Sequence, residues 1–564
     1  NPFTFGIQGF GQIFDYGDAP SPYPVTLAEN GARHLEGGPT LGTNRDSETD
    51  GIHSPSADAD DLTGSPDDED SVTFGIVQVG RLDTTVTVNV QNAPSGARLD
   101  AWVDFNADGN WNGPDEKIAE NLSVSNGANL IEFDVPAWAA IGTTFARFRV
   151  SSSGGLGTIG EAPDGEVEDH SVTIVKPLAS TGKFGAKQEI STNADGAAFV
   201  VAADLDLDGD MDVISANDND DSLVWYENNG SESFTLRTIS TSVPDVETLT
   251  VADLDGDGDL DIVSGGDRRS STPGFFISDT LYWFRNDGSE VFTRQTVKSS
   301  IDGVLDVQVA DIDSDGDMDI ITATGDRTTG IFPNPTNYFG EILISYNNGN
   351  QNFTTKPISG EGVIEDGQSI YVADADADGD LDIFSATFGD GDIRWWENQG
   401  ANGFVANTID SAASGARWVF ATDVNQDGFM DVLAASSNND RVSWYENDGN
   451  QNYTRRIIVD NLDAAYEVSA ADVDGDGDID VVTAALFDDT VSWFENNGSE
   501  SFTRRDLSTT SNGAKSVTIA DIDGDGDLDV LAASRDDDTI AWFEQDNYPS
   551  VTNVTVDDTL LTNG

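Results

Sequence analysis

The chain has 564 residues, with 103 Asp and Glu against 27 Lys and Arg, a formal charge of −76, three His and no Cys. That charge argues against nucleic acid as a partner, because phosphate would be repelled and no basic stripe offsets it, and it disfavours an anionic membrane surface. Without cysteine there are no disulfides, zinc-thiolate sites or thiol catalysis, and with no long apolar run no membrane insertion is expected.

Taken in chain order, residues 1–14 (NPFTFGIQGFGQIF) carry no charge, and Phe3, Phe5 and Ile7 alternate as one strand face would. They read either as a strand of the region that follows or as an assembly strand that adds to a second copy of the chain, building head-to-tail filaments. Residues 15–176 hold alternating runs, Thr84 to Val90, Leu99 to Phe105 and Thr143 to Val150, separated by Gly, Pro and Asn turns. That pattern predicts a β-sandwich. Within it Asp104, Asn106, Asp108, Gly109 and Asp115, with Asn110 at the seventh place, fit the pattern D-x-[DN]-x-[DN]-G-x5-E except for Asp at the last position. Strand-like flanks argue against an EF-hand, leaving a Ca2+ loop or an Asx-rich hairpin turn. The acidic run Asp58 to Asp70 reads as a solvated loop.

From residue 177 to 548 one nine-residue string recurs seven times, at separations of 49, 58, 63, 49, 49 and 49 residues. Its candidate ligands are Asp204, Asp206, Asp208, Asp210 and Asp212 in the first copy and Asp253, Asp255, Asp257, Asp259 and Asp261 in the second. The third and fourth copies offer Asp311, Asp313, Asp315, Asp317 and Asp319, then Asp374, Asp376, Asp378, Asp380 and Asp382. The fifth departs, with Asp423, Asn425, Asp427, Phe429 and Asp431. The last two return to the pattern: Asp472, Asp474, Asp476, Asp478 and Asp480, then Asp521, Asp523, Asp525, Asp527 and Asp529. Alternate Asp in an extended segment would turn toward one point; Gly at the sixth place allows a sharp turn, and the seventh residue can give its carbonyl. Such all-oxygen donors suit Ca2+, which takes about six to eight oxygens in a pliant shell, better than Mg2+. Two carboxylates about 4 Å apart repel by about 4 kcal/mol at an effective dielectric near 20, so empty loops would strain any fold. About seven Ca2+ are expected here, plus one in the N-terminal region, with weaker binding at the fifth copy. The strings hold 33 of the 103 acidic residues, so 70 still face 27 basic ones; metal accounts for part of the acidity.

Each copy sits among four short strand-like segments, the pattern of a propeller blade rather than of a solenoid. The fold class is therefore all-β: an N-terminal β-sandwich followed by a seven-bladed β-propeller with one Ca2+ loop per blade. The seventh copy lacks its fourth strand, and Phe184 to Ile190 ahead of the first copy is expected to supply it beside Trp542, removing an open edge. Trp225, Trp283, Trp395, Trp444, Trp493 and Trp542 recur in the third segment and read as packing between blades rather than sugar-stacking platforms. The insertions after strand two of the second and third copies carry Arg268, Arg269, Phe275, Phe276, Arg327, Phe332, Tyr338 and Phe339, a composition suited to a partner or glycan contact. The tail, residues 549–564, alternates apolar positions again (VTNVTVDDTLL) and reads as another domain's start or a second assembly strand.

These loops resemble the FG-GAP/VCBS repeats found in integrin alpha-subunit propellers. The resemblance implies Ca2+ bound on one face of a disc by Asp204, Asp206, Asp208 and Asp212 and the Asp210 carbonyl, and by their counterparts in the other copies. Gly165 to His170 (GEVEDH), with YGDAP near Tyr16, resembles the GEVED module that accompanies large secreted bacterial proteins. Together they imply an extracellular or cell-surface structural or adhesive protein, with copies of itself, matrix proteins or glycans as partners. His34, His53 and His170 all precede the repeats and nothing singles out a carboxylate pair, so no catalysis is expected. The alternative is a Ca2+-dependent polysaccharide-binding or lyase-like propeller.

Overall fold

The computed structural model describes residues 14–547, apart from 46, 58–70, 83, 179, 268–278, 326–339 and 359–363. Residues 1–13, the tail from 548 and all eight insertion residues put forward as a partner surface lie outside the described residues. Among the described residues the chain is all-β, with short 3-10 turns besides its strands.

In the N-terminal region, Ala97–Val103, Lys117–Val124, Gly142–Ser151 and Glu166–Ile174 form one four-stranded antiparallel sheet. Thr84–Gln91 anchors a second, paired with Thr40–Leu41, Val72–Phe74 and Gly127–Phe133. The alternation read in Thr84–Gln91 buries Val86, Val88 and Val90 completely, in one apolar cluster with Leu99, Val103 and Phe148 of the first sheet. The same cluster runs on into Val473, Ile519 and Leu528 of the repeats, so the two regions bury apolar surface against each other. The GEVED acids are structural. Asp169 receives two hydrogen bonds from the buried Arg147 guanidinium, both 2.7 Å, and one from the Ala19 amide at 2.9 Å, while Glu166 accepts from the Leu41 amide. A buried pair left with one partner is costly to the fold.

Seven four-stranded antiparallel sheets follow. The first is Ala197–Ala203, Asp212–Asn217, Ser222–Glu227 and Thr235–Ser240. The other six repeat this order, their first strands being Val246–Ala252, Val304–Ala310, Gly367–Ala373, Ala416–Thr422, Ala465–Ala471 and Ala514–Ala520. Every second strand is buried along its length, which is why these segments read as unbroken apolar and small residues. The first strand of each sheet packs against the first strand of the next, and that of the seventh packs against that of the first.

The seventh sheet takes its fourth strand from ahead of the first: Gln188–Ser191 pairs antiparallel with Thr539–Phe543, Gln188 opposite Trp542. Just upstream, Ser180–Phe184 pairs with Gln545–Asn547. The expected closing segment thus splits between the seventh four-stranded sheet and a separate two-stranded one. The six recurring tryptophans are all buried, and in the third repeat Ile344 takes the place, also fully buried. They fill the interior, as expected of packing residues.

Candidate metal centres

Each Asp-rich loop joins the first and second strands of its sheet, and its shape comes from two residues in the left-handed region. In the first four loops these are Leu207 and Gly209, Gly256 and Gly258, Ser314 and Gly316, and Ala377 and Gly379, with φ from +57° to +98°. The fourth position therefore wraps the chain, correcting the expected extended alternation: the carboxylates converge because the loop curls. Glycine is needed at Gly316, where φ is +98° and an added Cβ would lie 3.1 Å from the Gly157 amide.

The curl is tied by the loop's own acids. The first Asp accepts from the backbone amides of the fifth and sixth residues: in the first loop, Asp204 from Asp208 at 3.1 Å and from Gly209 at 2.9 Å, and in the fourth, Asp374 from Asp378 at 3.2 Å and from Gly379 at 2.8 Å. The ninth Asp is buried, and its Oδ1 accepts from a backbone amide at the end of the third strand or one residue past it: Asn228 to Asp212, Asn398 to Asp382 and Asn496 to Asp480, each 2.7 Å. Sequence alone assigns these asparagines no role, although each stands at a constant place in the WYEN, WWEN and WFEN strings. Two of their side-chain amides bridge to the neighbouring repeat's loop, Asn398 to the Ile312 carbonyl (3.4 Å) and Asn228 to the Ile522 carbonyl of the seventh repeat (3.1 Å). The recurring indoles abut the same Asp: Trp395 Nε1 donates to Asp382 at 2.8 Å.

Carboxylate oxygens come together in these loops. Asp204, Asp206 and Asp212 bring one oxygen each within 4.8 Å of the others, as do Asp253, Asp255 and Asp261; Asp311, Asp313 and Asp315; and Asp374, Asp376 and Asp382. Several carboxylate oxygens of the repeat loops are buried with no hydrogen-bond partner: Oδ1 of Asp206, Asp255, Asp376 and Asp472, and Oδ2 of Asp319 and Asp480. A buried acceptor with no donor costs about 1–3 kcal/mol, and a hard cation is the partner that such oxygens fit. Burial, with neighbouring carboxylates adding, pushes Asp319 and Asp480 up to about 9 and Asp261 to about 8; the metal-free loops would hold protons at neutral pH. In the fifth loop the exposed Phe429 side chain turns outward and Asn425 Nδ2 spends itself on Asp427 Oδ2 (3.1 Å).

The N-terminal loop has the same curl, with Ala107 at φ +57° and Gly109 at φ +89°; the Gly109 amide donates to Asp104 Oδ2 at 3.0 Å. The third acid of the cluster differs from expectation. Asp104 and Asp108 are joined within 4.8 Å by Glu116 rather than Asp115. Asp115 is exposed at φ +60°, so the chain turns its side chain away, whereas Glu116 is fully buried and accepts from the Phe105 (3.2 Å) and Gly113 (2.8 Å) amides. Burial raises the proton affinity of Asp104, Asp108 and Glu116 together.

Models of the FG-GAP-like repeat match residues 204–264, 269–322, 374–434, 423–483 and 476–532, and a GEVED domain matches 98–173. This is an FG-GAP repeat protein with a GEVED domain. No curated protein matches the chain. Among solved structures, BBS1N in complex with ARL6DN, soaked with lead, covers 67% of this FG-GAP protein and 99% of its own chain at 14% identity and a TM-score of 0.41. A functionally unknown protein from Desulfotomaculum acetoxidans DSM 771 covers 68% and 95% at 11% identity and a TM-score of 0.35. An auxiliary nutrient binding protein from Bacteroides ovatus ATCC 8483 covers 86% and 100% at 11% identity and a TM-score of 0.34.

Proposed function

We propose that the seven repeat sheets are the blades of a propeller clamped by Ca2+ in each loop and in the N-terminal loop, and that the chain is an extracellular structural or adhesive protein. The observation that carries this reading is the set of buried, donor-less carboxylate oxygens in the loops. No protein donor meets them in the structure, and their mutual repulsion is relieved by a divalent charge at their centre. Support for the location comes from the repeat family, whose members usually occur in extracellular proteins. The alternative of a sugar-stacking surface finds no support in the recurring tryptophans, which are buried. Residues 1–14 and the tail supply the assembly strands in this reading, and deleting 1–14 is expected to shift filaments to single chains in sedimentation; unchanged assemblies would remove that part.

Elemental analysis of chain purified in Ca2+ buffer tests the metal reading. Seven to eight equivalents are expected, and a chain free of alkaline-earth ions after gentle purification contradicts it. Each site filled at about 100 times its dissociation constant adds about 2.7 kcal/mol, large beside ordinary stabilities of about 5–15 kcal/mol.

A further inference from the structure

The three clustered acids of the N-terminal loop do not face solvent. The loop is pressed against the loops of the third and fourth repeats and bonds to their backbones. Asp108 Oδ2, beside the metal centre, accepts from the amide of Asp374, the first residue of the fourth loop (2.9 Å). Asn110 Nδ2 donates to the carbonyl of Gly379 in the same loop (2.6 Å). The Asn112 carbonyl accepts from the amide of Asp311, the first residue of the third loop (3.2 Å), and Lys117 Nζ reaches the Gly316 carbonyl (3.0 Å). The partners are loop backbone groups, available in this arrangement only while both loops are curled.

We propose that a divalent cation held by Asp104, Asp108 and Glu116 locks the N-terminal sheets onto the third and fourth repeat loops, so that interdomain docking depends on that one ion. This rests on the calcium reading of the N-terminal loop given above and adds its role. A second observation besides the acidic cluster points to a ligand: Asp104 Oδ1 is fully buried, lies in the cluster and has no hydrogen-bond partner. Its other oxygen is spent on the Tyr23 hydroxyl and the Gly109 amide. Asp108 stands on both sides of the junction, with one carboxylate in the cluster and in contact with the fourth repeat. Removing the ion would leave three close carboxylates at the joint, which must either take up protons or move apart, and either change loosens the loop from its seat.

Hydrogen–deuterium exchange of the full chain in saturating Ca2+, paired with elemental analysis, tests this with Glu116→Gln. The expected result is loss of one metal equivalent together with exchange about tenfold faster across 311–317 and 374–380. Across 423–431, whose Gln426 side chain contacts the sixth loop at Gly477 instead, exchange is expected to stay as it was. Loss of one equivalent with both loops still protected overturns the lock and leaves the calcium reading standing. Retention of the full complement overturns the calcium reading of this loop and the lock with it. Asp104→Asn, isosteric and aimed at the orphaned oxygen, carries the same three outcomes where Glu116→Gln does not fold.

Discussion

The N-terminal loop and the fifth repeat loop deviate from the repeat string in the same way, yet they sit in opposite surroundings. Both have Asn at the third place (Asn106, Asn425) and no acid at the seventh (Asn110, Phe429), leaving three carboxylates each: Asp104, Asp108 and Glu116 in one, Asp423, Asp427 and Asp431 in the other. In the first, all three are buried. In the second, Asp427 is exposed and Phe429 is 44% exposed. Equal charge in unequal solvent gives unequal demand for a cation. Water screens the fifth loop, whereas the N-terminal loop has only an ion to do so.

Removing all metal should produce the largest effect. Chelation with EDTA is expected to lower the melting transition by about 15 °C or more, and in a graded titration the fifth-loop ion should leave first and the N-terminal ion among the last, as elemental analysis at each step would record. Simultaneous release would break the comparison. Next, in saturating Ca2+, Asp104→Asn should cost about 3 kcal/mol in denaturant unfolding, because it disturbs a buried charge cluster, while Asp427→Asn should cost under about 1 kcal/mol. Equal costs would show that burial is not what separates the two loops.

The chelated chain should respond to pH with a definite sign. Burial raises Asp319 and Asp480 from 3.8 to about 9, so between those values the folded chain binds more protons than the unfolded one and stability falls as pH rises. Metal-free chain is thus expected to melt higher at pH 5 than at pH 8, and saturating Ca2+ should flatten or reverse that slope; a metal-free chain more stable at pH 8 would contradict the raised values. The smallest effect is expected from Phe429→Asp. In the proposed site the seventh residue gives its carbonyl, so the new carboxylate would act at a distance and through solvent and should tighten Ca2+ at the fifth loop by about two- to threefold, measured by competition with a chelating dye.

The repeat spacing alone located all seven loops, the four-strand unit and the segment that completes the seventh sheet, since each is a local pattern of turn residues and alternation. It also assigned the tryptophans to the interior. Glu116 could not be read, because Asp115 fits the linear pattern and the choice between neighbours turns on which side chain the backbone buries. The asparagine bridges were visible as a constant letter without a role, for their partners lie in the preceding repeat around the ring of first strands.

What the sequence determined by itself is whatever depends on residues near one another in the chain: the curl, the acids along it and the strands on either side. The tertiary structure alone decided which carboxylate oxygens lose water and that the N-terminal sheets cover the loop face. Desolvation is set by what packs on top, and that comes from residues hundreds of positions away, as when Asp108 meets Asp374.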